Sequence, residues 1–355
     1  MNRIDKLTAK MKEEGYSTLI ITDKHSIKYL TGEDIEPGER LLALIVRPAK
    51  KPTLIINKLF LREENENLKY KWISDTDDKI DVIGEELSGN DIGVDKNMEA
   101  KILLPLLKHD SYRKFSVGSA LVDNLRAVKD EEEIKLMEEA SVINDKAMAM
   151  MKEELSKEKS ELQMAEKLID FYRELGSEEY SFEPIVAYGV NASDPHHEND
   201  HTLPKAGDTM VVDMGCIYKD YCSDMTRTFF YKEVPEEGEK IYNIVRKANE
   251  TAISIIKPGV LLKDIDKAAR DVITEAGYGE YFTHRTGHFI GIDVHELPDV
   301  SQTSDVVAEE GMIFSVEPGI YVPGGVGVRI EDLVLVTKDG CKVLNSYPKD
   351  IQIVK

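Results

Sequence analysis

The chain of 355 residues is poor in cysteine, in positive charge and in long apolar runs. Three cysteines, Cys216, Cys222 and Cys341, cannot all pair, and their spacing matches no zinc motif. A buried, reduced thiol is expected for each. Lys and Arg total 46 against 67 Asp and Glu, a formal charge of -21. That balance argues against nucleic acid or an anionic membrane as the main partner. No apolar run approaches the ~18 residues of a membrane span. The opening "MNRIDKLTAKMKEEG" patterns as an amphipathic helix, with Ile4, Leu7 and Met11 on one side. It lacks the apolar core of a signal peptide, so a cytoplasmic protein is expected.

What is present is enough for folded domains. Hydrophobic residues make up 41%, too many for a disordered chain, and the length favours two domains over one. The first third carries short aliphatic strands at Ser17–Thr22, Leu41–Arg47 and Pro52–Asn57, a pattern that suggests a small α/β domain. It ends near "SALVDNLRAVKDEEE". There Asp130, with Glu133 three residues on, predicts the N-cap of a long helix. Ser160 with Gln163 predicts a second helix, stopped at Gly176. The strand patterns "TMVVDMG" and "YCSDMTRTFF" follow. A helix through Ile241, Ile244, Ala248, Ala252 and Ile255 then ends at Pro258-Gly259, and another runs through Ile265, Ala268, Val272 and Ala276 to Gly277. Two more strand patterns close the series, "MIFSVEPGIYV" and "VGVRIEDLVLV". Helix, helix, strand, strand thus occurs twice, which predicts an internally duplicated α+β domain.

Each half sets two acids in apolar strand patterns: Asp213 and Asp224, then Glu317 and Glu331. One such acid can face solvent. Four, paired between two halves, point to burial, and a buried carboxylate without a partner costs several kcal/mol. A divalent cation resolves that cost. Four acids exceed the needs of one ion, so a dinuclear site is favoured, in which two ions ~3.5–4 Å apart activate one bridging water. With a single imidazole to complete it, such an oxygen-rich set leans towards Mn or Co, with Zn or Fe as the other candidates.

The imidazole is sought in "HRTGHFIGIDVHE", which holds His284, His288 and His295 of the eight histidines. His284 and His288 have the i,i+4 spacing of helical zinc proteases. Arg285 stands where those carry Glu, and Gly287, Gly291 and the β-branched residues nearby disfavour a helix. In an extended or looped segment, that spacing does not bring both rings to one ion, so at most one of the pair need be a ligand.

Taken in order, "VVDMG", "SDMTRTF", "HRTGHFIGIDVHE", "SVEPGIY" and "GVRIEDLVLV" resemble the pita-bread-fold metallopeptidases, above all the Xaa-Pro dipeptidases (prolidases) and Xaa-Pro aminopeptidases. The resemblance spans roughly Leu125 to Val354. The first third is similar to the smaller α/β domain of the same proteins, best at "SIKYLTG" and "ERLLALIV". It implies a creatinase-like α/β domain over residues 1–124 and a pita-bread catalytic domain with a pseudo-two-fold over 125–355. It also implies two divalent ions per subunit, with Asp213 on one ion, Asp224 and Glu331 bridging both, and His288 and Glu317 on the second. His196 in "NASDPHHEND" and His295 match the histidines that contact substrate, although His197 beside His196 leaves that assignment open. Glu317 matches the proton shuttle. Short proline-containing peptides are the implied substrates and a homodimer the implied assembly.

Arg329 shares a strand face with Glu331. It would bind a substrate carboxylate bidentately or form a structural salt bridge to one of the metal-binding acids. A dipeptidase must hold the proline carboxylate, whereas an aminopeptidase must leave that side open. Some prolidases carry a basic residue just after His-Glu-x-Pro. Here Asp299 stands there, which weakens the dipeptidase reading without overturning it. Xaa-Pro aminopeptidase is the alternative, and a peptide- or protein-binding module that has lost catalysis is the remote one.

Overall fold

The computed structural model describes residues 2–177 and 179–355, and the chain divides after Arg126 into two units. The first contains helix α1 (Arg3–Glu13), strand β1 (Thr18–Ile21), α2 (Lys24–Thr31), β2 (Ala43–Val46), β3 (Thr53–Asn57) and β4 (Lys69–Ile73). It continues through α3 (Lys79–Glu86), β5 (Asp91–Val94), α4 (Ala100–His109), β6 (Lys114–Val117) and α5 (Ala120–Ala127). The six strands form one mixed sheet in the order β4-β3-β2-β1-β5-β6. β1, β2 and β3 are buried along their whole length. That explains why they read as continuous aliphatic runs rather than alternating ones. Leu7 and Met11 of α1 are fully buried, as the N-terminal pattern predicts.

In the second unit, α6 (Glu131–Leu155) opens with the expected capping box, in which Asp130 accepts from Glu133 N at 3.0 Å and Glu133 returns the bond to Asp130 N at 2.9 Å. α7 (Glu161–Leu175) repeats the device with Ser160 and Gln163 and ends on Gly176 at φ 92°, a left-handed conformation that glycine adopts without strain. Then come β7 (Glu179–Tyr180), β8 (Ile185–Tyr188), β9 (Thr209–Met214), β10 (Cys216–Tyr218), β11 (Tyr221–Cys222) and β12 (Met225–Tyr231). The second half has α8 (Glu236–Ser254), α9 (Leu262–Glu275), β13 (Gly287–Phe289), β14 (Glu296–Val300), β15 (Ile313–Val316), β16 (Gly319–Tyr321), β17 (Gly327–Arg329), β18 (Asp332–Val336), β19 (Cys341–Val343) and β20 (Ile353–Val354).

The duplication is a three-stranded antiparallel core in each half, β8-β9-β12 and β13-β15-β18, each behind its own helix pair. This is the pita-bread architecture. The two halves meet where Glu331 N donates to Thr226 O at 3.1 Å and Thr228 Oγ1 donates to Arg329 O at 2.9 Å. Among the described residues, no helix is long and apolar enough to cross a membrane.

The structure departs from the sequence reading in two respects. Three of the four strand patterns are interrupted at their acid: β11 stops before Asp224, β15 stops before Glu317, and β17 and β18 are separated by Ile330 and Glu331. Each break lets the chain change hydrogen-bonding partner while an acid turns inward. All three cysteines are free, but only Cys216 and Cys222 are buried. Cys341 is half-buried on short β19, at the edge of its sheet.

Candidate metal centre and active site

The strand registers carry the acids to one place. Asp213 pairs across with Thr226, so Asp224, two residues earlier on that side, shares its face. In the other half Val316 pairs with Asp332, which sets Glu317 and Glu331 one step beyond the end of the same ladder. His288 lies in β13, where its backbone N–H donates to Ser315 Oγ at 2.9 Å. Gly287 permits this approach, since a Cβ there would fall 1.9 Å from Ser315 O.

The eight residues singled out from the sequence line one cavity of about 430 Å³, together with Phe182, Ile185, Pro195, His284 and Arg285. His288 Nε2 stands 3.5 Å from both Asp224 Oδ2 and Glu317 Oε1. Ligand atoms of Asp224, His288 and Glu331 all fall within 4.8 Å of one another. His288 Nδ1 lies 3.1 Å from Phe289 O, an arrangement that places its proton on Nδ1 and turns the Nε2 lone pair towards the acids.

The fit to cations shows in the unmatched oxygens. Asp213 Oδ1, Asp224 Oδ1 and Glu331 Oε1 are buried and, among the described residues, have no hydrogen-bond partner. Buried polar atoms are rarely left so. Burial, then the charges of neighbouring acids, pushes the carboxyls of Asp224 and Glu331 well above the ordinary range. Burial pushes Glu317 the same way, but His288, His284 and Arg329 outweigh it and hold Glu317 below its usual value. Clustered acids that repel each other and expose lone pairs to one point form a donor set for divalent cations.

Arg329 resolves geometrically onto Asp213. Its Nη2 donates to Asp213 Oδ2 at 2.6 Å, its Nε to Thr226 Oγ1 at 3.0 Å, and its Nη1 to Tyr321 OH at 3.0 Å and Pro195 O at 3.4 Å. This buried guanidinium thus forms a salt bridge to an acid of the cluster. His284, without a role in the sequence reading, has Nδ1 2.7 Å from Arg285 O, so Nε2 accepts from Tyr321 OH at 3.0 Å. It does not join His288 in a helical pair. His196 lines the cavity, whereas His197 turns away to Glu161 Oε2 at 2.7 Å. His295 packs edge-on against His288, with centroids 4.3 Å apart. Burial above all, with the neighbouring His288 and Arg285 acting in the same direction, lowers its pKa to about 4, so its ring is neutral near pH 7.

Four contributors were missed from the sequence. Thr226 Oγ1 donates to Glu331 Oε2 at 2.7 Å, and Ser315 Oγ donates to Glu317 Oε1 at 3.1 Å. Tyr321 links Arg329 to His284. Asp332, a further buried acid, is ion-paired with Arg227 at 2.8 Å and Lys349 at 2.7 Å, away from the cluster. Thr226 was within reach, because it lies two residues from Asp224 and therefore on its face. Ser315, two residues from Glu317, was within reach in the same way, whereas the Tyr321 link to His284 and the Asp332 link to Arg227 depend on residues distant in sequence.

Fold and site together define a metal-dependent hydrolase of the pita-bread type. Residues 135–338 match the model of metallopeptidase family M24, and residues 3–128 match the creatinase/prolidase N-terminal domain. A putative dipeptidase, YkvY of Bacillus subtilis, is 35% identical over the full length of both chains. The solved prolidase from Thermococcus sibiricus superposes with TM-score 0.92 at 34% identity, covering 99% of this chain and 98% of that one. The X-Pro aminopeptidase from Thermotoga maritima gives TM-score 0.86 at 30% identity over all of both chains. The chain belongs to metallopeptidase family M24. It is a metallopeptidase, and its family implies divalent metal ions at this site.

Proposed function

We propose that the chain is an Xaa-Pro dipeptidase (prolidase) that uses two divalent ions, Mn or Co in preference to Zn or Fe, with residues 125–355 as its catalytic portion. The observation that carries the metal-dependent part is the group of buried, unpartnered oxygens on Asp213, Asp224 and Glu331 beside the His288 lone pair. The likeness to prolidases supports the substrate class. Asp213, Asp224, His288, Glu317 and Glu331 would hold the ions, which when bound acidify water and polarise the scissile carbonyl.

The remaining work falls to side chains. Glu317, steadied by Ser315, takes the proton of the attacking water and delivers it to the proline nitrogen as that nitrogen leaves. His196 and neutral His295 donate to the carbonyl oxygen as charge develops there. Arg329 keeps Asp213 oriented through their short ion pair. Phe182 and Ile185 offer apolar wall to the side chain before proline. The buried free thiols of Cys216 and Cys222 suit a reducing cytoplasm, and the family resemblance supports a homodimer.

Xaa-Pro aminopeptidase is the second reading, favoured by one observation. Asp299 pairs with Arg285 at the cavity, 2.6 Å between Oδ1 and Nη1, and so weakens the cationic anchor a dipeptide carboxylate would use. Ala-Pro, Ala-Pro-Ala and Met-Ala-Ser, each assayed with added Mn or Co, separate the readings. Hydrolysis of Ala-Pro alone is expected. Alanine release from Ala-Pro-Ala would establish the aminopeptidase, and methionine release from Met-Ala-Ser would remove the Xaa-Pro reading altogether.

A further inference from the structure

Glu161, the first residue of α7, is a fully buried carboxylate that lies outside the metal cluster. Each of its oxygens takes two donors. Tyr188 N (2.7 Å) and Asn191 Nδ2 (3.0 Å) meet Oε1, while His197 Nε2 (2.7 Å) and Asp200 N (3.2 Å) meet Oε2. These partners all come from one segment, residues 188–200, and that segment bears His196. The backbone adds to the attachment, because Glu161 N donates to Thr202 O at 3.2 Å and Leu162 N to Asp200 O at 3.0 Å.

The opposite side of the segment is held by the site itself. Arg329 Nη1 donates to Pro195 O at 3.4 Å. Gly327 packs so closely that a Cβ on it would fall 1.7 Å from Ala192 O. His196 is therefore carried on a strip of chain fixed on one face by α7 and on the other by β17. A helix does not require a buried acid at this position, and burying one is expensive. What the acid supplies is four acceptor directions, matched to four donors of the 188–200 segment, of which Asn191 Nδ2 also reaches Thr202 Oγ1 at 3.2 Å.

We propose that Glu161 is a positioning residue for the reaction, setting the reach of His196 into the cavity through the 188–200 segment. The inference rests on the Xaa-Pro hydrolase reading for His196's role, though not for the latch itself. Glu161→Gln keeps size and polarity but places an amide NH₂ against donors.

Two measurements on the full-length protein with Mn test the proposal. In the first, E161Q lowers kcat/KM for Ala-Pro by about 10- to 100-fold, the usual cost of loosening a supporting shell. In a His196→Ala background the same change costs less than about 2-fold, because a group acting through His196 has nothing left to act through. Equal losses in both backgrounds would overturn the proposal. The second is amide hydrogen exchange without substrate. E161Q should speed exchange at Tyr188 and Asp200 and leave β9 and β12 protected, and unchanged protection across 188–200 would overturn the latch. Should E161Q not fold, Asn191→Ala, which removes one donor, should show both patterns at reduced size, and absence of both would count against the proposal. If the wild type hydrolyses no Xaa-Pro dipeptide, the functional reading fails while the exchange measurement still decides the latch.

Discussion

Replacing Asp224 with Asn should change stability in opposite senses with and without metal. Asp224 and Glu331 present ligand atoms within 4.8 Å of each other. At that separation two unit negative charges repel by about 3 kcal/mol for an effective dielectric constant of about 20. Part of this strain is already relieved in the ion-free protein by proton uptake, consistent with the raised carboxyls of both residues. The metal-free D224N protein should therefore be more stable than metal-free wild type by about 1–3 kcal/mol, or several degrees in Tm at roughly 2–4 °C per kcal/mol. Metal inverts the order. At 1,000 times Kd, bound ions would stabilise the wild type by about 4 kcal/mol, whereas a variant without the Asp224 carboxylate gains little. Thermal melts in EDTA and then in excess Mn, with Ala-Pro hydrolysis measured in parallel, make the comparison. A D224N protein no more stable than wild type in EDTA, yet as strongly stabilised by Mn and still active, would refute the assignment of Asp224 as a metal ligand.

Two further perturbations test the scaffold. Gly287→Ala places a methyl 1.9 Å from Ser315 O and should push β13 off β15. A loss of about 3 kcal/mol in urea unfolding is expected, together with weaker stabilisation by Mn, because His288 moves with the strand. In the first unit, burial alone would raise the Glu86 carboxyl, but Lys69, Thr53 and Arg47 bring it down to about 2. A depressed acid stabilises the fold above its unfolded pKa and loses that contribution as pH falls through the folded one. Up to about 3 kcal/mol should thus disappear between roughly pH 4.5 and 2. Glu86→Gln should flatten the stability–pH curve in that window, and an unchanged acid limb would contradict the linkage.

How much could be read in advance follows from the range of the forces involved. The caps at Asp130 and Ser160 and the stop at Gly176 are local hydrogen-bonding and φ requirements, and each appears where its residues predict. The aliphatic strands of the first unit were legible because burial on both faces leaves a continuous apolar run. β8 and β13 were not, being four and three residues long and recognisable only from the ladders they complete. The strand breaks at Asp224, Glu317 and Glu331 were also hidden, since a change of pairing partner leaves no periodic mark on a short apolar stretch. The site residues stood out for the opposite reason: a carboxylate in an apolar run is conspicuous because its burial is so unfavourable.

By itself, then, the sequence determined that four acids in duplicated strand patterns need compensation, and that the His284/His288 spacing belongs to extended chain rather than a zinc helix. Those conclusions follow from desolvation and backbone propensity, which are properties of residues and their immediate neighbours. Only the tertiary structure decided that Arg329 closes on Asp213, 116 residues away, that His196 faces the cavity while His197 turns to Glu161, and that Tyr321 joins Arg329 to His284. Each of these choices is made by distances of about 3 Å: Arg329 meets Asp213 only once the two halves have packed together, and the other contacts exist only once their own half has folded.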